Sequence, residues 1–133
     1  LSSVEASKQA VWDYFEKMRT GESGTADLFT EDVTWWVPPS LPLAGTYEGR
    51  EAVVSMMAQG IHLYDMGTPM QVEVLEMVAE PDRVCVQLVI RARTAKGEDY
   101  ENHYHFAFRL REGKICAVRE YVDTLYAQRK LFD

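Results

Sequence analysis

Residues 100–124, YENHYHFAFRLREGKICAVREYVDT, read as two long strands joined by a tight turn at Glu112, Gly113 and Lys114. Side chains alternate along a strand. On the first, Asn102, Tyr104, Phe106 and Phe108 share one face while His103, His105 and Arg109 share the other. On the second, Val118, Glu120 and Val122 oppose Arg119, Tyr121 and Asp123. A carboxylate between two valines on an otherwise apolar face is unfavourable unless it is paired, neutralised or used. Glu120 is therefore the first candidate for function.

Working outward from this hairpin, alternation begins near Met70, with Met70, Val72, Val74 and Val78 against Gln71, Glu73, Leu75 and Met77. Pro81-Asp82 turns the chain into a strand over 84–94, and Lys96-Gly97 turns it into the hairpin, which makes four consecutive antiparallel strands. Ahead of them the spacing is helical. Val4, Val11, Tyr14, Phe15 and Met18 mark a helix over 3–20, with Ser2 or Ser3 as N-cap and Gly21 just past its end. Residues 25–29 read as a short docked helix, 33–37 as a strand ended by Pro38 and Pro39, PPSLPLAGTYEG as a loop, and 50–64 as a helix that bends or frays at Gly60. Helices followed by a meander predict one α+β domain over 1–133, its helices covering one face of a curved antiparallel sheet.

A chain of 133 residues buries about two thirds of its unfolded surface, enough for one core. The formal charge of −7 without a Lys/Arg cluster argues against nucleic acid or an anionic membrane as partner. No segment reaches membrane-spanning length, and the opening LSSVEASKQAV lacks the cationic and apolar regions of a signal peptide. Cys85 and Cys116 lie inside predicted strands, so they read as reduced core thiols of a cytoplasmic protein, with a disulfide as the alternative. The strand VCVQLVIRA is apolar on both faces although helices can cover only one. A homodimer through the convex sheet face would cover the other; the alternative is that 125–132 folds back over it.

The pieces FTEDVTWWVP, TYEGREAV, YENHYHFAFRLREGKI and VREYVDT, in this order, resemble the SnoaL-like and ketosteroid-isomerase-like group of the nuclear transport factor 2-like superfamily. That resemblance implies a cone in which helices and the concave sheet face enclose one deep apolar pocket. By strand parity and the family pattern, Trp35, Val37, Gln87, Val89, Arg91, Asn102, Tyr104, Phe106, Val118 and Glu120 face inward, joined by Tyr14, Ile61, Tyr64 and Met66 from the helices. The base of ketosteroid isomerase falls at about Val37, which takes no proton. Of the Asp, Arg, Asp set of limonene epoxide hydrolase, whose places fall on Gln87, Val89 and Glu120, one acid remains. SnoaL-type cyclases are similar in relying on a lone acid near the end of the last strand, close to Glu120.

The resemblance thus implies a small-molecule isomerase, cyclase or lyase that works by cofactor-free acid/base chemistry on an apolar, ring-bearing substrate. Glu120 is the expected proton carrier, and Trp35, Gln87, Arg91, Asn102, Tyr104, Tyr14 and Tyr64 the expected substrate-binding residues. The alternative is a noncatalytic dimeric module of the same fold that binds an apolar ligand or a protein. Each candidate has a plainer reading beside it. Glu120 can pair with Arg91 in a buried salt bridge, the aromatics can be core filling, and Asp123 can cap a local turn. His103 and His105 copy the start of a cupin metal motif, but the next acidic ligand falls on Arg109 or Leu110. They read as interface residues, His62 as a solvated one, and no metal or other cofactor is expected.

Overall fold

A computed structural model describes residues 3–22 and 24–133. Ser2, the other proposed cap, lies outside the described residues. Helix α1 (Val4–Thr20) starts where the Ser3 hydroxyl accepts a hydrogen bond from the Ala6 amide, and it ends where Gly21 takes the left-handed conformation. Its buried face is Ser7, Val11, Tyr14 and Phe15, with Tyr14 and Phe15 three and four residues after Val11. One 3₁₀ turn (Thr25–Leu28) leads into β1 (Phe29–Val37). The stretch read as a loop then holds a further strand, β2 (Gly45–Glu48), which pairs antiparallel with β1. Local turn chemistry concealed it because β2 is short, mostly exposed and defined by its partner.

Helix α2 (Arg50–Ile61) contains Gly60 and stops one residue later, so Tyr64 lies beyond it in a bridge to Thr94. The meander follows as β3 (Gln71–Glu80), β4 (Arg83–Arg93), β5 (Asp99–Arg111) and β6 (Lys114–Val122). One six-stranded sheet results, in the order β2-β1-β6-β5-β4-β3. All its joins are antiparallel except β1 to β6, which is parallel. The last strand thus closes the sheet against the first, which brings Trp35 beside Val118 in register. The α+β class and the curved sheet under helices are as the sequence implied.

Two local features change which side chains face the helices. A register shift in β3 between Val74 and Glu76 inverts the alternation, so Met77 packs on the core and Val78 is 61% exposed. On β4 it is Val84, Val86, Leu88 and Ile90 that join the core, and Gln87, Val89 and Arg91 lie on the outer face. Val89 is buried there but stands apart from the core cluster.

The C-terminal segment, α3 (Thr124–Ala127) continued by a π-helical turn (Gln128–Phe132), packs Ala127 and Leu131 into the core. It does not cover the outer face. Asp123 caps it, accepting from the Tyr126 amide at 3.2 Å. The thiols depart from expectation as well: both are free, but Cys85 is exposed on the outer face and Cys116 half-buried. No helix among the described residues is long and apolar enough to cross a membrane.

Candidate functional site

The aromatic core fixes the floor of the site. Tyr14 and Phe15 of α1 sit 5.3–6.1 Å, centroid to centroid, from Phe29, Trp35, Phe106 and Phe108. Above this cluster the helices, the inner sheet face and the C-terminal segment enclose a cavity of about 320 Å³. Met56, Met57, Ile61, Leu131 and Phe132 supply much of its apolar wall. The size suits a compact organic molecule.

Glu120 projects into this cavity from β6, opposite Phe106 on β5. One carboxylate oxygen, Oε1, accepts from the Trp35 indole Nε1–H at 3.0 Å. Burial pushes the carboxyl up to about 7, while the indole hydrogen bond pulls in the opposite direction and only limits the rise. No cation offsets the burial. The anticipated salt bridge is not made, because Arg91 lies on the outer face between Glu73 (2.8 Å) and Glu101 (2.9 Å). The polar character of β4 positions 87 and 91 is explained by exposed carboxylates on the neighbouring strands.

Three tyrosines face the acid. Tyr14, Tyr64 and Tyr104 line the cavity, and burial holds all three phenols above their ordinary range, with Glu120 opposing their ionisation further. They remain hydroxyl donors at every ordinary pH. Tyr104 is also oriented from behind. Asn102 is buried and does not line the cavity; its Oδ1 accepts from the His103 amide at 2.8 Å, which turns its Nδ2 toward Tyr100 Oη (3.0 Å) and the Asp123 carbonyl (3.1 Å). Tyr100 Oη thereby accepts from Asn102 and shares a 2.7 Å hydrogen bond with Tyr104 Oη in which either hydroxyl can donate.

The expected site residues therefore divide. Glu120, Trp35, Tyr14, Tyr64 and Tyr104 are brought together; Asn102 stands one layer behind; Gln87 and Arg91 are corrections. Gln87 is exposed on the outer face, 3.4 Å from Glu76, because the inner places of β4 are taken by Val84, Val86, Leu88 and Ile90. Three features escaped the sequence reading. Tyr100 shares the parity of Asn102 and was legible from it. Leu131 and Phe132 were signalled by the Ala127 to Leu131 spacing after an Asp cap. Lys17 and Glu22, which also line the cavity, gave no sequence signal. Among the described residues no three His, Cys, Asp or Glu side chains converge as metal ligands.

The SnoaL-like domain profile matches residues 9–118. The chain belongs to the SnoaL-like family. Glu120 lies just beyond the matched span, so the assignment rests on the scaffold and not on that acid. Solved structures agree with it over the whole chain. A nuclear transport factor 2-like protein from Burkholderia xenovorans LB400 is 28% identical, with a TM-score of 0.77 over 98% of this chain and 99% of that one. A candidate SnoaL-like polyketide cyclase from Jannaschia sp. CCS1 is 17% identical, with a TM-score of 0.81 over 98% and 95%. TerC, co-crystallised with polyporic acid, is 20% identical, with a TM-score of 0.82 over 96% and 99%. The last two show a shared fold. No curated protein matches the sequence.

Proposed function

We propose that this SnoaL-like protein is a cofactor-free acid/base enzyme of the isomerase, cyclase or lyase type, acting on an apolar, ring-bearing substrate inside the cavity. The observation that carries this reading is Glu120: a carboxyl with one hydrogen bond, no cation beside it, and a pKa raised to about 7 in an aromatic chamber. An acid poised near neutrality both gives and takes a proton without a large energetic mismatch. Tyr104, oriented by Tyr100 and Asn102, supplies a hydroxyl to a substrate oxygen on which negative charge develops as Glu120 removes a proton from carbon. Trp35 holds the carboxylate in place, and Tyr14 and Tyr64 close the polar side of the chamber.

The fold neighbours are consistent with such chemistry, since they include a candidate polyketide cyclase and a protein co-crystallised with polyporic acid. A thermal-shift screen against steroids, aromatic polyketides, terpenoid epoxides and keto acids identifies the class of ligand. Glu120→Gln then decides between enzyme and binding module. Turnover of the stabilising compound is expected to fall at least about a hundredfold with affinity retained. Turnover that survives the change rules Glu120 out as the proton carrier.

We also infer that a second copy covers the outer sheet face. Leu75 and Val78 of β3 are 54% and 61% exposed there, with exposed Cys85 beside them and Tyr121 on β6. On this face Glu76 lies toward the β3 edge and Arg109 and Arg119 on β5 and β6, while Glu73 is already paired with Arg91.

A further inference from the structure

Among its described lining residues the cavity has one cation. Its exposed lining residues are Gly21, Glu22 and Ala58, which places the mouth between the end of α1 and the outer turn of α2. Lys17 lies there, three residues after Tyr14 and four before Gly21 on the stripe of α1 that faces the cavity. It is the only Lys, Arg or His among the described lining residues. Its side chain keeps 32% exposure, and its Nζ stands over the turn, 3.8 Å from where a Cβ on Gly24 would sit.

Among the described residues no group accepts a hydrogen bond from the ammonium. Its carboxylate neighbour, Glu22, is 3.9 Å away and 57% exposed, too far for a hydrogen bond and only weakly coupled through water. Arg19, on the same last turn, shows the ordinary arrangement: it is tied to Glu16 at 2.7 Å outside the cavity. An anion entering at the mouth meets a negatively charged protein and, deeper in, the Glu120 carboxyl. Lys17 is the group that makes such an entry favourable.

We propose that Lys17 is an anion-recognition residue at the cavity mouth, and that the ligands are ring-bearing acids. A carboxylate or sulfonate displaces Glu22 from Lys17 while the apolar body fills the aromatic chamber. The inference rests on the reading of the cavity as a ligand site and adds the charge class of its occupant. Two fluorescent probes separate the claims: anilinonaphthalene sulfonate, and phenyl-naphthylamine, which is the same ring system without the sulfonate.

Lys17→Met is expected to weaken the sulfonate probe about tenfold, the scale of a charge-assisted hydrogen bond, and to move the neutral probe less than twofold. Glu22→Gln is expected to tighten the sulfonate probe, because the competing carboxylate is gone. Circular dichroism and Tm establish that both variants fold. If the neutral probe binds and the sulfonate affinity is the same in wild type and Lys17→Met, the anion proposal is overturned and the cavity reading stands; a sulfonate probe sitting on the outer face gives this result. If neither probe binds the wild type, both readings fail together.

Discussion

Glu120 departs most from the behaviour of an ordinary side chain, and its position makes the sign of its effect on stability unambiguous. An unfolded glutamate titrates near 4.5, whereas the folded carboxyl titrates at about 7 because burial disfavours its charge. Between those values the unfolded chain has released a proton that the folded chain keeps. Stability is therefore fully present below about pH 4.5, falls as pH rises through the window, and levels off above 7. A difference of this size corresponds to about 3 kcal/mol. Glu120→Gln cannot ionise, so unfolding measured at pH 5 and pH 8 should show the variant gaining on the wild type at the higher pH, the lowered carboxyls Glu16 and Asp32 titrating alike in both. Parallel pH dependence in the two proteins would contradict the burial of this acid. Sequence parity put Glu120 on the inner face, where it lines the cavity, because a lone acid between valines is a local signal. Its partner was not local: the Trp35 indole, 85 positions away, depends on the parallel join of β1 to β6.

Among the elements, α1 does most to shape the mouth of the cavity, and its end is set by one residue. Gly21 has φ +69°, and a Cβ there would meet the Met66 Cε at 3.3 Å and the Ile61 Cδ1 at 3.6 Å. The terminal methyl of a methionine moves easily, so the backbone conformation dominates the penalty. Gly21→Ala is expected to lower stability by about 1 kcal/mol, seen as a lower Tm. An unchanged or higher Tm would show that the turn relaxes away from the left-handed region.

The helices were legible because Ser3, Gly21 and the apolar stripe of α1 are signals carried within a few residues of chain. The hairpin β5–β6 was legible for the same reason. The face of β4 was not. VCVQLVIRA is apolar on both sides, and its orientation is decided by pairing: Val86 with Phe106, Leu88 with Tyr104 and Ile90 with Asn102. Gln87 and Arg91 then fall opposite His105 and Glu101 on the outer face. The shift in β3 was hidden likewise, since the alternation of its apolar residues runs on past the irregularity.

At the scale of the whole molecule the sheet has two faces with different fates. The inner face is sealed by α1, α2 and the C-terminal segment, and the outer face leaves Leu75, Val78 and Tyr121 to solvent in a single chain. Beside them Arg119 stacks on Trp36 at 4.1 Å and donates to the Tyr121 hydroxyl at 3.0 Å, which gives this surface a fixed shape before any partner arrives. Sedimentation at micromolar concentration should return a dimer for the wild type and a monomer for Val78→Lys combined with Tyr121→Glu. A wild-type monomer, or a variant that stays dimeric, would move the interface elsewhere. The inner face lines one chamber, and the chamber is defined chemically by one carboxyl. The most direct measurement is a carbon NMR titration of the Glu120 carboxyl in the folded protein. A midpoint near 7 is the expected result. A midpoint near the ordinary 4.5 would mean that the carboxyl is hydrated or paired with a cation, and the proton-carrier account would fall with it.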